Sequence, residues 1–304
     1  SVNGEAVKEN KYGYSPFTAD LTEKVTSGKN TVEVLADNSL VPNCRWYSGS
    51  GIYRPVYLEI SRKDAPTFLK IKTVGISPAV IEVDTDDGAE IQIFDAEGNL
   101  AASGQKGRFE ISGAHLWSAE TPYLYTCKVS RDGEELTEKF GIRTLEWSGK
   151  TGLLVNGKET LLRGGCIHHD NGVLGACSFA DAEERRVRIL KSQGFNALRM
   201  AHNPASHSLL DACDRIGMYV MDEAFDGWYI PKEYHDYSRD FLSDYKSVLA
   251  AMVENDYNHP SVIMYSLGNE VTETASKRGV ELCAEMRDTV HSLDGTRPVT
   301  CGIN

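Results

Sequence analysis

Ser261-Val262-Ile263-Met264-Tyr265-Ser266-Leu267-Gly268-Asn269-Glu270 is the stretch on which the reading of this chain turns. An apolar, β-branched run of strand length stops at Ser-Leu-Gly, and a carboxamide and a carboxylate follow at once. A strand of a parallel α/β barrel delivers polar side chains to its carboxyl end in this way, and barrel enzymes do their chemistry there. Outward from this stretch, the sequence after about Thr144 alternates strand, loop and helix. Residues 160–164, 195–200, 218–221 and 262–267 read as strands, with a fifth starting at 298–301. Helices are predicted over 182–193 (capped by Ser178 or Asp181, stopped by Gly194), 206–216 (stopped by Gly217), 240–257 and 272–293. Such alternation builds a parallel sheet, here the first part of a (β/α)8 barrel. A whole barrel needs roughly 250 residues, and only about 160 follow Thr144.

The preceding region has a different texture. Residues 61–143 carry short strand candidates at 67–74, 80–85, 90–94, 107–111, 123–130 and 134–142. Turns such as Asp86-Asp87-Gly88, Glu97-Gly98-Asn99 and Arg131-Asp132-Gly133 separate them at the spacing of a β-sandwich. Residues 1–60 also read as β: 31–36 alternates, Ser48-Gly49-Ser50-Gly51 is a tight turn, and 53–60 is aromatic and β-branched. These are too few strands to close a sandwich, so its beginning is expected to lie before Ser1. Three parts are therefore expected, at 1–60, 61–143 and 144–304.

Composition excludes some functions. The net charge is −12 with no Lys/Arg cluster, which argues against a nucleic-acid partner. No apolar run approaches the roughly 20 residues that cross a bilayer, so no membrane partner is expected. Seven scattered cysteines without C-x-x-C spacing read as free thiols of a reducing compartment. A cytoplasmic location is expected, with periplasmic or secreted as the alternative.

The predicted strand ends are strongly polar: Cys166-Ile167-His168-His169-Asp170-Asn171, Arg199-Met200-Ala201-His202-Asn203-Pro204, Asp222-Glu223-Ala224-Phe225-Asp226-Gly227-Trp228, and Asn269-Glu270. On one barrel they converge on a single pocket. Carboxylates and amides there would hold hydroxyls, and an aromatic face would suit a sugar ring.

The run from Asn258-His259-Pro260 through Asn269-Glu270 resembles the acid/base signature of glycoside hydrolase family 2, which includes β-galactosidases, β-glucuronidases and β-mannosidases. Residues 196–204 and 221–226 resemble its second and third barrel strands. Tyr14-Ser15-Pro16-Phe17 and the run from Ser48 to Val56 resemble the later part of its sugar-binding jelly roll. The resemblance covers essentially the whole chain, in the family's order. It implies a partial jelly roll, an immunoglobulin-like sandwich and a partial TIM barrel. It implies a retaining mechanism with Glu270 as general acid/base, a task that favours a raised pKa. Asn269 would hold the sugar 2-hydroxyl, and Arg199 would steady the nucleophilic carboxylate. His168, His202 and Asn203 would contact substrate, while Asp222, Asp226 and Trp228 would line the pocket. The family's nucleophile comes from a seventh strand beyond Asn304, so the chain is expected to be a fragment, inactive alone. Tyr265 stands where many relatives carry Trp.

Plainer readings stand beside these. Glu270 could cap the next helix, and His202-Asn203-Pro204 could be a simple turn. Asp226-Gly227-Trp228 could be an ordinary loop. His168-His169-Asp170 invites a metal, but adjacent residues on extended chain point apart; no metal or cofactor is expected. His259-Pro260 ends a helix and is given no chemistry. The expected partner is a carbohydrate, a terminal β-galactoside before a β-glucuronide, and a homo-oligomer is expected. The rival reading is a non-catalytic carbohydrate-binding or scaffold protein. An open half-barrel exposes strand edges, so the isolated chain is expected to associate.

Overall fold

The computed structural model describes residues 1–45 and 50–304. Its centre is a seven-stranded β-sandwich made from β1 (Leu69–Ile76), β2 (Ala79–Thr85), β3 (Glu90–Phe94), β4 (Leu100–Gly104), β5 (Gly107–Glu110), β6 (Tyr125–Arg131) and β7 (Glu134–Phe140). One sheet has the order β1-β2-β5 and the other β4-β3-β6-β7, all antiparallel. Alternation along each strand sends Ile71, Ile81, Val83, Ile91, Ile93, Cys127 and Val129 inward to one core. The turn spacing predicted a β-sandwich, and the family resemblance implied the immunoglobulin-like form found here. β4 was missed because Leu100-Ala101-Ala102-Ser103-Gly104 buries no face and so shows no alternation.

A small antiparallel sheet, β8 (Leu145–Ser148), β9 (Gly152–Val155) and β10 (Lys158–Glu159), leads into the barrel. That sheet ends at Glu159, short of the expected 160–164 strand, and the first barrel strand is instead β11 (Gly164–Ile167). The rest follows as α1 (Ala180–Ser192), β12 (Ala197–Met200), α2 (His207–Ile216), β13 (Tyr219–Glu223), α3 (Ser238–Asp256), β14 (Val262–Ser266), α4 (Lys277–Leu293) and β15 (Val299–Thr300). The five barrel strands lie parallel in sequential order, β11-β12-β13-β14-β15.

The helix boundaries show how local signals were overruled. Ser206, expected as the first helical residue, instead caps α2, accepting from the Leu209 amide, and Gly217 ends it as expected, at φ +83°. Neither Ser178 nor Asp181 caps α1, because Ser178 Oγ is occupied 2.9 Å from Glu183 Oε1 and 2.7 Å from Ser206 Oγ. α4 starts at Lys277 rather than 272, after a 3-10 turn, with Ser276 as its cap.

Sandwich and barrel share a core of Trp117, Ala119, Val155, Ala197, Tyr219 and Ile263. The Trp117 indole donates to the Asp214 carbonyl (2.9 Å), and Asn258 bridges the Ile71 amide and Leu69 carbonyl of β1. Sandwich and barrel are thus held in one register.

Residues 1–60 depart from expectation. Among the described residues the alternating 31–36 makes only an isolated bridge, Val32 to Val2, and 53–60 form no strand. Ser48 and Gly49 of the predicted turn lie outside the described residues. Alternation marks the face a strand would bury, but a ladder needs a partner, and no second strand of this segment runs alongside. Leu35, Tyr57, Leu58 and Ile60 are exposed in consequence. The segment instead lies across the carboxyl end of the barrel. Tyr12 is buried there, its hydroxyl donating to the Ala224 carbonyl at 2.7 Å, and Arg54 donates to the carbonyls of Tyr14 and Pro204.

Candidate active site

The polar groups converge at the carboxyl ends of β12, β13 and β14, around Glu223. This carboxylate is fully buried at the last position of β13. Its Oε2 accepts from Arg199 Nη2 (2.7 Å), Arg199 Nε (3.1 Å) and Ser266 Oγ (2.6 Å), and its Oε1 lies 2.6 Å from His202 Nδ1. One charge on β13 therefore fixes side chains from β12, from the loop after it, and from β14. Burial disfavours the Arg199 cation, but Glu223 outweighs that and raises its pKa.

Arg199 passes the order on. Its Nη2 also donates to Asn269 Oδ1 at 3.1 Å, which orients the amide so that Asn269 Nδ2 donates to Asp226 Oδ1 at 3.0 Å. Each end of the Asn269 amide retains one further hydrogen-bonding position, a lone pair and an N–H, which a hydroxyl can use. Asp226 also takes Arg45 Nη2 (2.8 Å) and Lys232 Nζ (3.2 Å). Burial works against its charge, yet Arg45, Asn269 and Lys232 hold its pKa below the usual carboxylate range.

Glu270 stands at the edge of this network at φ +45°, half exposed, with Oε2 2.6 Å from Arg45 Nη1. Arg45 lowers its pKa by hydrogen bond and charge. An elevated pKa was expected for a general acid, so the direction here is reversed, and the cause is a guanidinium from the N-terminal segment. Glu270 does not cap α4; Ser276 does.

The remaining predicted residues separate into two groups. His168 is exposed at the end of β11, edge-on to His202 with ring centroids 5.4 Å apart, and burial together with His202 lowers its pKa. It faces the site with Arg199, His202, Asp226, Asn269 and Glu270. Asn203, Asp222 and Trp228 do not line it. Asn203 is buried behind, donating to the Tyr12 hydroxyl at 2.6 Å. Asp222 accepts from the Ala205 and Glu223 amides, and burial and then Asp256 push its pKa well up. Successive strand residues point to opposite faces, so with Glu223 in the site Asp222 faces the helices. Trp228 is fully buried, its indole donating to the Leu267 carbonyl (2.9 Å) and stacking on Phe241, so it offers no sugar platform. His169 turns from His168 to stack on Tyr14 (5.4 Å), its Nε2 3.3 Å from the Asn203 carbonyl.

Sequence reasoning missed Arg45, Lys232 and Glu223. Glu223 was visible in the Asp222-Glu223 strand end, and the register of β13 would have chosen between the two. Arg45 and Lys232 lie in loops without periodicity, and nothing local marks them.

Five parallel strands with helices between them, and an Asn-Glu pair at the strand ends tied to Arg199 and Arg45, place a polar cluster where barrel enzymes carry their sites. The model for "Glycosyl hydrolases family 2, TIM barrel domain" matches residues 149–304, and that for "Glycosyl hydrolases family 2" matches 69–143. The chain belongs to glycoside hydrolase family 2. The Beta-galactosidase BoGH2A of Bacteroides ovatus is 36% identical over all of this chain, and a Putative beta-glucuronidase of Formosa agariphila is 33% identical over 99% of it. The chain spans 43% and 31% of those two relatives. The crystal structure of a family 2 member from Bacteroides cellulosilyticus superposes with a TM-score of 0.92 at 37% identity, covering all of this chain and 43% of that one.

Proposed function

We propose that this chain carries the acid/base side of the active site of a retaining exo-β-glycosidase acting on terminal β-glycosides, β-galactosides first. The observation that carries the reading is the bonded series Glu223–Arg199–Asn269–Asp226–Arg45–Glu270, which brings a carboxylate and a hydroxyl-binding amide together at the barrel's carboxyl end. Glu270 would protonate the departing glycosidic oxygen, then take a proton from the water that attacks the glycosyl-enzyme. Asn269 would accept or donate to the 2-hydroxyl as positive charge develops on the ring. Retention needs a second carboxylate about 5 Å away as nucleophile. Glu223 is a poor candidate, because both of its oxygens are committed to Arg199, Ser266 and His202. The nucleophile is assigned to chain beyond Asn304.

A galactoside is favoured because the β-galactosidase of Bacteroides ovatus is 36% identical to this chain, against 33% for the putative β-glucuronidase of Formosa agariphila. The test is turnover by the full-length protein of nitrophenyl β-glycosides of galactose, glucuronate, mannose and glucose. Galactoside turnover should fall at least a hundredfold in Glu270→Gln, and less with dinitrophenyl leaving groups, which need no proton. Preference for the glucuronide would overturn the sugar assignment. No turnover of any glycoside, with sugar binding intact, would overturn the enzyme in favour of a binding protein.

A further inference from the structure

A second cluster lies away from the strand-end site. His207 opens α2, Asp211 sits one turn on, Asp214 two turns on, and His259 approaches the same face from the loop between α3 and β14. His259 is almost wholly buried, and its Nδ1 lies 2.5 Å from Asp214 Oδ2. That bond makes Nδ1–H the donor and turns Nε2 toward His207. Nε2 meets His207 Nδ1 at 3.2 Å, and His207 Nε2 is 3.6 Å from Asp211 Oδ2.

We propose that His207, Asp211 and His259 form a binding site for a borderline divalent transition metal, Zn²⁺ foremost, with Asp214 as the carboxylate that orients His259. The three residues offer one ligand atom each within 4.8 Å of one another. Two imidazole nitrogens on tetrahedral zinc, each at about 2.0–2.1 Å, sit about 3.3 Å apart, and the observed separation is 3.2 Å. A ligating histidine characteristically donates its other N–H to a carboxylate, the arrangement His259 makes with Asp214. Two imidazoles and one carboxylate suit zinc better than calcium or magnesium, which prefer oxygen. In the metal-free state the proton between His207 and His259 holds the two rings together. The cation takes that place, the hydrogen moving to His207 Nε2 so that the ring stays a neutral ligand, and it ties α2 to the loop entering β14. None of the three residues bonds to the strand-end cluster around Glu223, so the role inferred for the site is to brace α2 against the loop before β14.

The test uses the intact protein, stripped with chelator and titrated with ZnCl₂ and separately with CoCl₂. One Zn²⁺ per chain is expected, with affinity falling at least tenfold in His207→Ala and in Asp211→Ala. Both positions are partly exposed, so these variants should fold, which circular dichroism verifies. Bound Co²⁺ should show tetrahedral d–d bands without thiolate charge transfer, because no cysteine belongs to the set. Unchanged affinity in both variants, thiolate bands that persist in them, or no saturable uptake by the wild-type protein would each overturn the proposal.

Discussion

Replacing Glu223 by Gln removes one negative charge and changes little else in shape. The carboxylate is fully buried and accepts from both donors of Arg199, from Ser266 and from His202 at 2.6–3.1 Å. Breaking a buried ion pair by losing one partner costs about 3–5 kcal/mol, because the other charge is left uncompensated. Arg199 retains partial solvent access, with 27% of its side chain exposed, and the Gln carbonyl still accepts one bond. The expected loss is therefore smaller, about 2–3 kcal/mol. Urea unfolding followed by fluorescence of the buried Trp117 and Trp228 measures it. Because Arg199 orients Asn269, the same substitution should also lower kcat/KM for the best glycoside. A variant within about 0.5 kcal/mol of wild type, the scatter of ordinary surface changes, would refute the view that Glu223 organises the site. So would lost stability with unchanged kcat/KM, since positioning would then not pass through Arg199.

Other outcomes follow from the same geometry. Gly141→Ala places a Cβ 2.7 Å from Trp117 Cβ and 2.9 Å from Pro260 Cβ, so it should separate sandwich from barrel and cost about 1–3 kcal/mol in urea unfolding. Arg297→Lys loses a buried fork that donates to the carbonyls of Val262, Tyr257 and His259 and pairs with Asp294; a loss of about 2–4 kcal/mol is expected in the same assay. Residues 1–304 alone should self-associate in sedimentation velocity, since β11 and β15 are open edges and Leu161, Leu162, Val173 and Ile303 are exposed; a sharp monomer would count against this. Arg45→Ala frees Glu270 from the charge that depresses it, so the alkaline limb of kcat/KM, where the general acid loses its proton, should move to higher pH. An unmoved limb would mean that Arg45 does not touch the titration.

β12, β13 and β14 were legible because each is an apolar run ending in polar residues, and parallel strands buried on both faces need nothing subtler; β11, Gly-Gly-Cys-Ile and only partly buried, was placed too early. Val262 to Ser266 is the clearest case. The sandwich was legible from turn spacing, except at β4, where no face is buried. The N-terminal segment misled because 31–36 and 53–60 carry strand texture without a neighbour to pair. Within the site, Glu270 and Asn269 were legible as a strand-end pair, and Asp226 proved more central than its place in a loop suggested. Asp222 and Trp228 were misjudged for one reason: a residue type names the chemistry available, while strand register and packing decide which way it faces. Arg45 arrives from 225 positions away in sequence, and no local pattern records a contact of that range.

The direction of the Glu270 shift carries the last step. A general acid at neutral pH needs its proton, but Arg45 favours the carboxylate, and Glu270 is open enough for water to do the same. Under the retaining mechanism proposed above, two changes would accompany formation of a working complex. A sugar filling the site excludes water from the carboxyl, and a nucleophilic carboxylate about 5 Å away adds a like charge; both favour the protonated form. Once the glycosyl-enzyme forms, the nucleophile is esterified and its charge is gone. The pull of Arg45 would then dominate, and Glu270 would return to the carboxylate that the proposed second step needs to deprotonate water. Arg45 thus suits the second half of the cycle as the nucleophile's charge suits the first. One residue can serve as acid and then base because the charge opposing Arg45 is present in only one of the two steps.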